Sequence, residues 1–434
     1  MAFTAGFAQV KVSGSCTGAD TEGMNIYVGA MDGGKALPDT IIGGQFALST
    51  AAGSHGIYSV TLVKGHESQK SAVMYLDPSA TSANVKITLD GASPHVVLDE
   101  ANEALSGFND TYYTKGREFW MKVRQMSNDD IRAFMNCYNT AADSILNAHP
   151  SVPDAVRQYI RTWAYIQTAS MLQGAPRATR KSLSELGIER KDYLLPASEA
   201  LDNDYAGMFT EASQYIYASI PRKDKTLSEQ IAYLYDNYKC ESVRKATTGM
   251  ILNQFITRFN YADNYEAGLK EMQDATDNYS LDAKYLDEFK TRKSAIPGQA
   301  FPPEVVLKDA NGKVVDISQF RGKYVYIDLW ASWCVPCIKE IPYLQELEKS
   351  CGRDDIVFLS VSVDQKKAAW DKKRTELKLH GNQLWDSKDN LCKSLNVTGI
   401  PFFIVYDKEG KLFHYNAPRP SAKEAINALL GQMK

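Results

Sequence analysis

Three patterns along the chain predict a mixed architecture that ends in an α/β domain. From about residue 9 to 99, short runs bearing Val, Ile and Tyr alternate with Gly, Asp, Ser and Pro; from about 100 to 293 the apolar residues recur with a helical period. Beyond a proline-rich break, strand-like and helix-like segments alternate. The expected order is therefore an antiparallel β domain (9–99), an all-helical domain (100–293) and an α/β domain (296–434). A chain of 434 residues suits such a division, because one hydrophobic core seldom organises that length.

In the first stretch the expected strands are QVKVSG, MNIYVGA, GQFALST, GIYSVTLVKG, SAVMYL and ANVKITLDG, and the turn residues between them suit a sandwich or barrel-like module. His55, His66 and His95 fall near its loops without the spacing of metal ligands. In the second stretch Ser127 is a candidate N-cap, followed by Asp129 and Asp130. The apolar residues Ile131, Phe134, Met135, Tyr138, Ala142, Ile145 and Leu146 then mark one face of an amphipathic helix. Pro153 is expected to open another helix, with Val156, Tyr159, Ile160, Trp163 and Met171 as its buried stripe and Gly174 and Pro176 as its stop. A stripe rich in Tyr and Met reads as core, so this domain is expected to carry no active residues.

The segment SAIPGQAFPPEVV separates the helical stretch from the last one. After it come KYVYIDLW, a helix from the cysteines to about Ser350, DIVFLSVSVD, a helix around Ala368 to Leu379, PFFIVYD, KLFHY and a final helix near SAKEAINALL. Alternation of this kind implies a sheet with helices on both faces, and such folds place their chemistry where a strand end meets a helix start.

Composition excludes several function classes. A net charge of −3 creates no general field for nucleic acid or an anionic membrane. No run of 18 apolar residues suggests a bilayer span. The start, MAFTAGFAQ, has the small and apolar residues of the end of a secretory signal, with Ala8 and Gly6 at the −1 and −3 positions, though without a basic segment before it. It is expected to be a trimmed signal, which points to the periplasm or cell envelope. Cys16 follows Ser13 at its −3 position where a lipoprotein signal has Leu, so a lipid anchor is not expected. Of the seven cysteines only Cys334 and Cys337 are close. Cys16, Cys137, Cys240, Cys351 and Cys392 are expected to serve as small buried apolar residues.

The pair in Cys334-Val335-Pro336-Cys337 sits at the predicted strand-to-helix turn. A sulfur at a helix N-terminus faces unpaired backbone N–H groups and the positive end of the dipole, which stabilise a thiolate and lower its pKa. Cys334 is the expected nucleophile; Cys337, one helical turn on and more buried, is the expected resolving thiol. Pro336 is tolerated because first-turn amides lack intrahelical partners. A zinc site needs a second ligand pair, and neither another CxxC nor a paired histidine is present, so no metal is expected. A permanent staple across so short a loop restrains little of the unfolded chain. Redox exchange is the leading reading.

The residues VYIDLWASWCVPC, VTGIPFFIVYD and EGKL resemble the thioredoxin superfamily, and WCVPCIKEIP is similar to its TlpA and ResA-like branch of envelope thiol-disulfide oxidoreductases. PGQAFPPEVVLKDANGKVVDISQFRGK is similar to the opening hairpin of that branch and of the redoxin and peroxiredoxin group. The match spans about 296 to 434 and implies a thioredoxin-like C-terminal domain. The N-terminal part more weakly resembles a β-rich domain that precedes such modules in bacterial envelope proteins. The resemblance implies that Asp328 is the buried base for the second cysteine, that Glu340 is an active-site glutamate, and that Pro401 is a cis-proline. It also implies that Ile400 offers its backbone to an extended client. Trp333 and Pro336 are the other expected substrate contacts; Phe402 stands where threonine is usual. Disulfide-bearing client proteins and a membrane thiol donor are the implied partners, with no cofactor.

Val-Pro between the cysteines adds no charge to hold the thiolate, so the expected direction is reductive, with a potential on the order of −250 mV or lower. The alternatives are a thiol peroxidase of the redoxin group and a non-catalytic envelope protein that binds a ligand or partner. Ala331 in place of a peroxidase threonine weighs against the first, and the intact dithiol against the second.

Overall fold

The computed structural model describes residues 9–18, 21–32, 38–64, 68–89, 91 and 93–434. The segment read as a trimmed signal and His66 lie outside these. The chain forms two compact units, Met1–Pro221 with Ala232–Met250, and Arg222–Ile231 with Ile251–Lys434. Among the described residues no helix is long and apolar enough to cross a membrane.

The first unit begins with β1 (Gln9–Thr17), β2 (Asn25–Ala30), β3 (Pro38–Thr40), β4 (Gln45–Ala51), β5 (Ile57–Lys64), β6 (Ser68–Tyr75), β7 (Ser82–Thr88) and β8 (His95–Val97). They make two four-stranded sheets, ordered β4-β1-β7-β8 and β3-β2-β5-β6. Among the described residues every pairing of these strands is antiparallel except that of β1 with β7. Alternation along β1 buries Val10, Val12 and Cys16, which share one core with Ile26, Val60 and Ile87 of the other strands. This is the face-to-face packing of a sandwich.

Helices follow: α1 (Glu100–Lys122), α2 (Asn128–Met135), α3 (Cys137–Ala148), α4 (Asp154–Thr179), α5 (Ala197–Ala200), α6 (Thr210–Ser219), α7 (Leu227–Asn237), α8 (Glu241–Arg258), α9 (Tyr261–Tyr279) and α10 (Ala283–Thr291). Asp99 caps α1, and buried Asn102 accepts the Tyr75 N–H and donates to the Tyr75 carbonyl, 2.9 Å each, joining α1 to the edge strand β6.

Two expectations about these helices are corrected. The face from Ile131 to Leu146 belongs to two helices, because the backbone at Asn136 leaves the helical range (φ −98°, ψ 0°). Ser127 does cap the first of them, in a capping box with Asp130. Gly174 and Pro176 do not stop α4, whose buried stripe continues to Ala175 and which ends at Arg180 in the left-handed region. Gly174 is a packing residue: a Cβ there would lie 2.2 Å from the Trp120 ring. Pro176 forfeits a single hydrogen bond in the last turn. The reading of five buried cysteines also changes, since only Cys16 and Cys392 are buried, whereas Cys137, Cys240 and Cys351 are partly exposed.

The C-terminal part of the second unit holds β9 (Leu307–Lys308), β10 (Val314–Val315), β11 (Tyr324–Trp330), α11 (Val335–Ser350), β12 (Ile356–Ser362), α12 (Lys367–Glu376), β13 (Asn382–Trp385), α13 (Asn390–Ser394), β14 (Phe402–Tyr406), β15 (Leu412–His414) and α14 (Lys423–Gln432). The sheet order is β10-β9-β13-β12-β11-β14-β15, with β11 parallel to β12 and antiparallel to β14. All seven residues of β11 are buried, as a central strand covered on both faces requires. Tyr324 and Tyr326 pack with Leu344 and Leu347 of α11 and Ile426 of α14, while Trp330 packs with Cys334, Cys337 and Ile341. One face of β11 therefore looks onto α11. The short strand β13 was not foreseen.

Gly14 lies opposite Val85 in the parallel pair, where a Cβ would fall 1.8 Å from the Val85 carbonyl oxygen. Backbone cannot swing aside there, so Gly14→Ala is expected to cost about 1–3 kcal/mol. The check is the urea midpoint of the β signal in circular dichroism; an unchanged midpoint would show that β1 and β7 have slack.

Candidate active site

The central strand β11 delivers the chain to Trp330, whose carbonyl accepts the Val363 N–H at 3.0 Å. A turn follows, closed by the Cys334 N–H donating to the Ala331 carbonyl at 3.0 Å. Cys334 is then the N-cap of α11, and its Sγ accepts the Cys337 N–H at 3.2 Å. The two sulfurs are joined in a disulfide with a Cα–Cα separation of 5.3 Å. In this oxidised form both residues are buried, 4% and 2% exposed, so the expected difference in burial between them is slight.

Around the disulfide the surface is apolar and open. Trp333 and Val335 are 67% and 61% exposed, and Pro336 is exposed as well. The Ile400–Pro401 bond is cis, and the Ile400 carbonyl oxygen lies 3.7 Å from Cys334 Sγ. Pro401 is buried and Ile400 half-buried, packed against the cluster of Trp330, Cys334 and Cys337. A groove of about 890 Å³ runs from Trp333 and Ser332 past Thr398, Gly399 and Ile400.

Asp328 lies between Tyr326 and Trp330 on the face of β11 that looks onto α11, since alternate strand residues share a side. It is 4% exposed. Burial, with the charge of Glu340 adding to it, pushes its pKa up to about 8; a hydrogen bond with Ser360 opposes the shift. Glu340 is 9% exposed, and its two oxygens accept the Ser421 hydroxyl at 2.8 Å and the Ser421 N–H at 3.1 Å. It is thus held from the start of α14. Burial likewise raises the Tyr326 phenol, with both carboxylates contributing.

The structure gathers Cys334, Cys337, Trp333, Pro336, Ile400 and Pro401 at one surface, with Asp328 and Glu340 in the interior between β11 and α11. Sequence reasoning missed Ser421 and Asp364. The Asp364 carboxylate accepts the Ser332 N–H at 2.9 Å and the Ser332 hydroxyl at 2.6 Å. A polar residue ending the run DIVFLSVSVD was the available signal for Asp364. Nothing in the sequence marks Ser421, which lies 81 positions from the glutamate it binds.

Residues 296–430 match the family model described as Redoxin. The thiol-disulfide oxidoreductase ResA of Geobacillus kaustophilus is 31% identical over 124 residues, 29% of this chain and 71% of that protein. The ResA of Bacillus subtilis is 28% identical over 120 residues, 28% of this chain and 67% of that protein. The crystal structure of the thioredoxin domain of a thiol-disulfide oxidoreductase from Bacteroides vulgatus is 28% identical, covering 32% of this chain and 98% of that one, with a TM-score of 0.29. The family model leaves residues 1–295 outside its match.

The raised Asp328 pKa has a consequence for stability. Below about pH 4 the residue is protonated in both folded and unfolded chains; between its ordinary 3.8 and about 8 only the folded chain keeps the proton. The folded state binds more protons across that window, so its stability falls as pH rises through it. Asp328→Asn is expected to flatten this fall, seen as a smaller drop in urea midpoint between pH 5 and pH 8.5 than in the wild type. An equal drop in both chains would show that Asp328 is not the group responsible.

Proposed function

The chain belongs to the family of ResA-like thiol-disulfide oxidoreductases, and on that premise we propose that it reduces protein disulfides in the bacterial cell envelope by exchange at Cys334 and Cys337. The observation that carries this reading is the disulfide at the N-cap of α11, its first sulfur receiving a helix amide beneath an exposed apolar rim. A client disulfide approaching that rim meets Trp333, Val335 and Pro336, with the Ile400 backbone beside the sulfur.

The step runs as a transfer of two electrons. In the reduced chain the Cys334 thiolate attacks one sulfur of the client disulfide, forming a mixed disulfide and expelling the other client sulfur as a thiolate, which takes a proton from solvent. Cys337 then gives its proton to the Asp328 carboxylate and attacks Cys334 Sγ. The mixed bond breaks, the second client sulfur leaves with its electron pair, and the intramolecular disulfide seen here is the product. A base near pH 8 suits a thiol whose ordinary pKa is about 8.5, because the proton moves between groups of similar strength. Burial sets most of that match, and Glu340, tied to Ser421, adds to it with its charge.

Val-Pro between the cysteines supplies no cation to stabilise the reduced thiolate, which favours the reductive direction. Reduced chain is regenerated, in this reading, by a membrane thiol donor. In this reading the exchange chemistry lies within 296–434. Disulfide traffic of this kind suits an oxidising compartment outside the cytosol.

Insulin reduction by the full chain is the direct test. Cys334→Ser is expected to reduce activity to background. Cys337→Ser is expected to abolish turnover yet accumulate mixed disulfides with clients, visible as reducible bands on a gel. Activity that survives both substitutions refutes the dithiol mechanism.

A further inference from the structure

Asp364 lies just beyond the end of β12 and is 2% exposed. Its carboxylate accepts three hydrogen bonds, from the Ser332 N–H (2.9 Å), the Ser332 hydroxyl (2.6 Å) and the Ser362 hydroxyl (2.8 Å). Its own amide donates to Ser362 Oγ at 3.1 Å, and its carbonyl accepts the Trp385 indole N–H at 2.6 Å. The residue is thus anchored to β12 and β13 while it grips a serine two positions before the nucleophile. A buried carboxyl group needs its lone pairs filled, and three donors meet that need.

Ser332 and Trp333 are the central residues of the turn closed by Cys334 N–H and the Ala331 carbonyl. Asp364 thus holds both donors of Ser332, inside this turn. In the oxidised chain the disulfide also restrains Cys334. In the dithiol that covalent restraint is gone, and the Asp364 grip remains to keep Cys334 at the head of α11.

We propose that Asp364 is a positioning residue for thiol exchange: by holding Ser332 at two atoms it fixes the 331–334 turn, so that the reduced Cys334 sulfur stays against the Cys337 amide. This rests on the exchange reading above. Helix-end stabilisation of an anion is confined to the first turn, so a sulfur that drifts away loses it. The consequence falls on the thiolate of the reduced form, which distinguishes positioning from general support of the fold.

The experiment uses the full chain, reduced, and follows iodoacetamide alkylation of Cys334 from pH 5 to 10, beside thermal melting of the oxidised chain. Asp364→Ala is expected to raise the pH midpoint by about one unit, equivalent to roughly a tenfold loss of thiolate at a pH below both midpoints. Asp364→Asn, which keeps one oxygen acceptor for Ser332, is expected to recover most of that shift. Ser332→Ala, which removes the hydroxyl bond alone, is expected to move the midpoint the same way by less, and it serves as the deciding variant if Asp364→Ala does not fold. A lowered melting temperature with the midpoint unmoved in both variants overturns the inference and leaves Asp364 a structural residue. A wild-type chain in which Cys334 reacts no faster than free cysteine overturns the exchange reading and this inference with it, and that result is visible before any substitution is made.

Discussion

The disulfide site depends on one junction, where a strand buried at every residue ends and a sulfur begins a helix. Pairing of β11 with β12 on one side and β14 on the other determines where the chain leaves the sheet. The turn at 331–334 then places Cys334 as the N-cap, where a side chain normally satisfies an orphan amide. Here a sulfur accepts that amide. The same geometry that ends a strand and caps a helix therefore sets the first sulfur of the disulfide against a helix amide, and the disulfide and the helix cap share one atom.

Two buried carboxyl groups flank this junction and are treated in opposite ways. Asp364 is surrounded by donors, three of them on its oxygens, which lets it act as an anchor. Asp328 sits on the strand face beneath α11, where burial and the Glu340 charge outweigh the hydrogen bond from Ser360 and move its titration toward neutrality. Ser421 extends this arrangement to α14 by holding the carboxylate that influences Asp328.

The rest of the chain is built from different material. Its sandwich encloses an aliphatic core, and its helices bury a stripe rich in tyrosine and tryptophan, with Phe108, Tyr159 and Phe209 around Trp163. The partly exposed Cys240 lies 3.1 Å from an Asp204 oxygen. This contact shows that a cysteine outside the redox pair can sit in polar surroundings, contrary to the expectation of uniform burial.

The sequence by itself determined the alternation of β11, α11, β12 and α12 and the placement of Cys334 and Cys337 at a strand-to-helix turn, because periodicity and capping are local properties that adjacent residues express. It did not determine that α4 runs through Gly174 and Pro176, since the reason is the Trp120 ring lying against that glycine from another helix. Nor did it reveal β13, too short for a period, or the grips of Ser421 on Glu340 and Asp364 on Ser332. Those depend on residues brought together across 81 and 32 positions by the closing of the sheet and its helices. Hydrogen bonds over such spans leave no periodic trace in the chain, and only the folded arrangement brings donor and acceptor within reach.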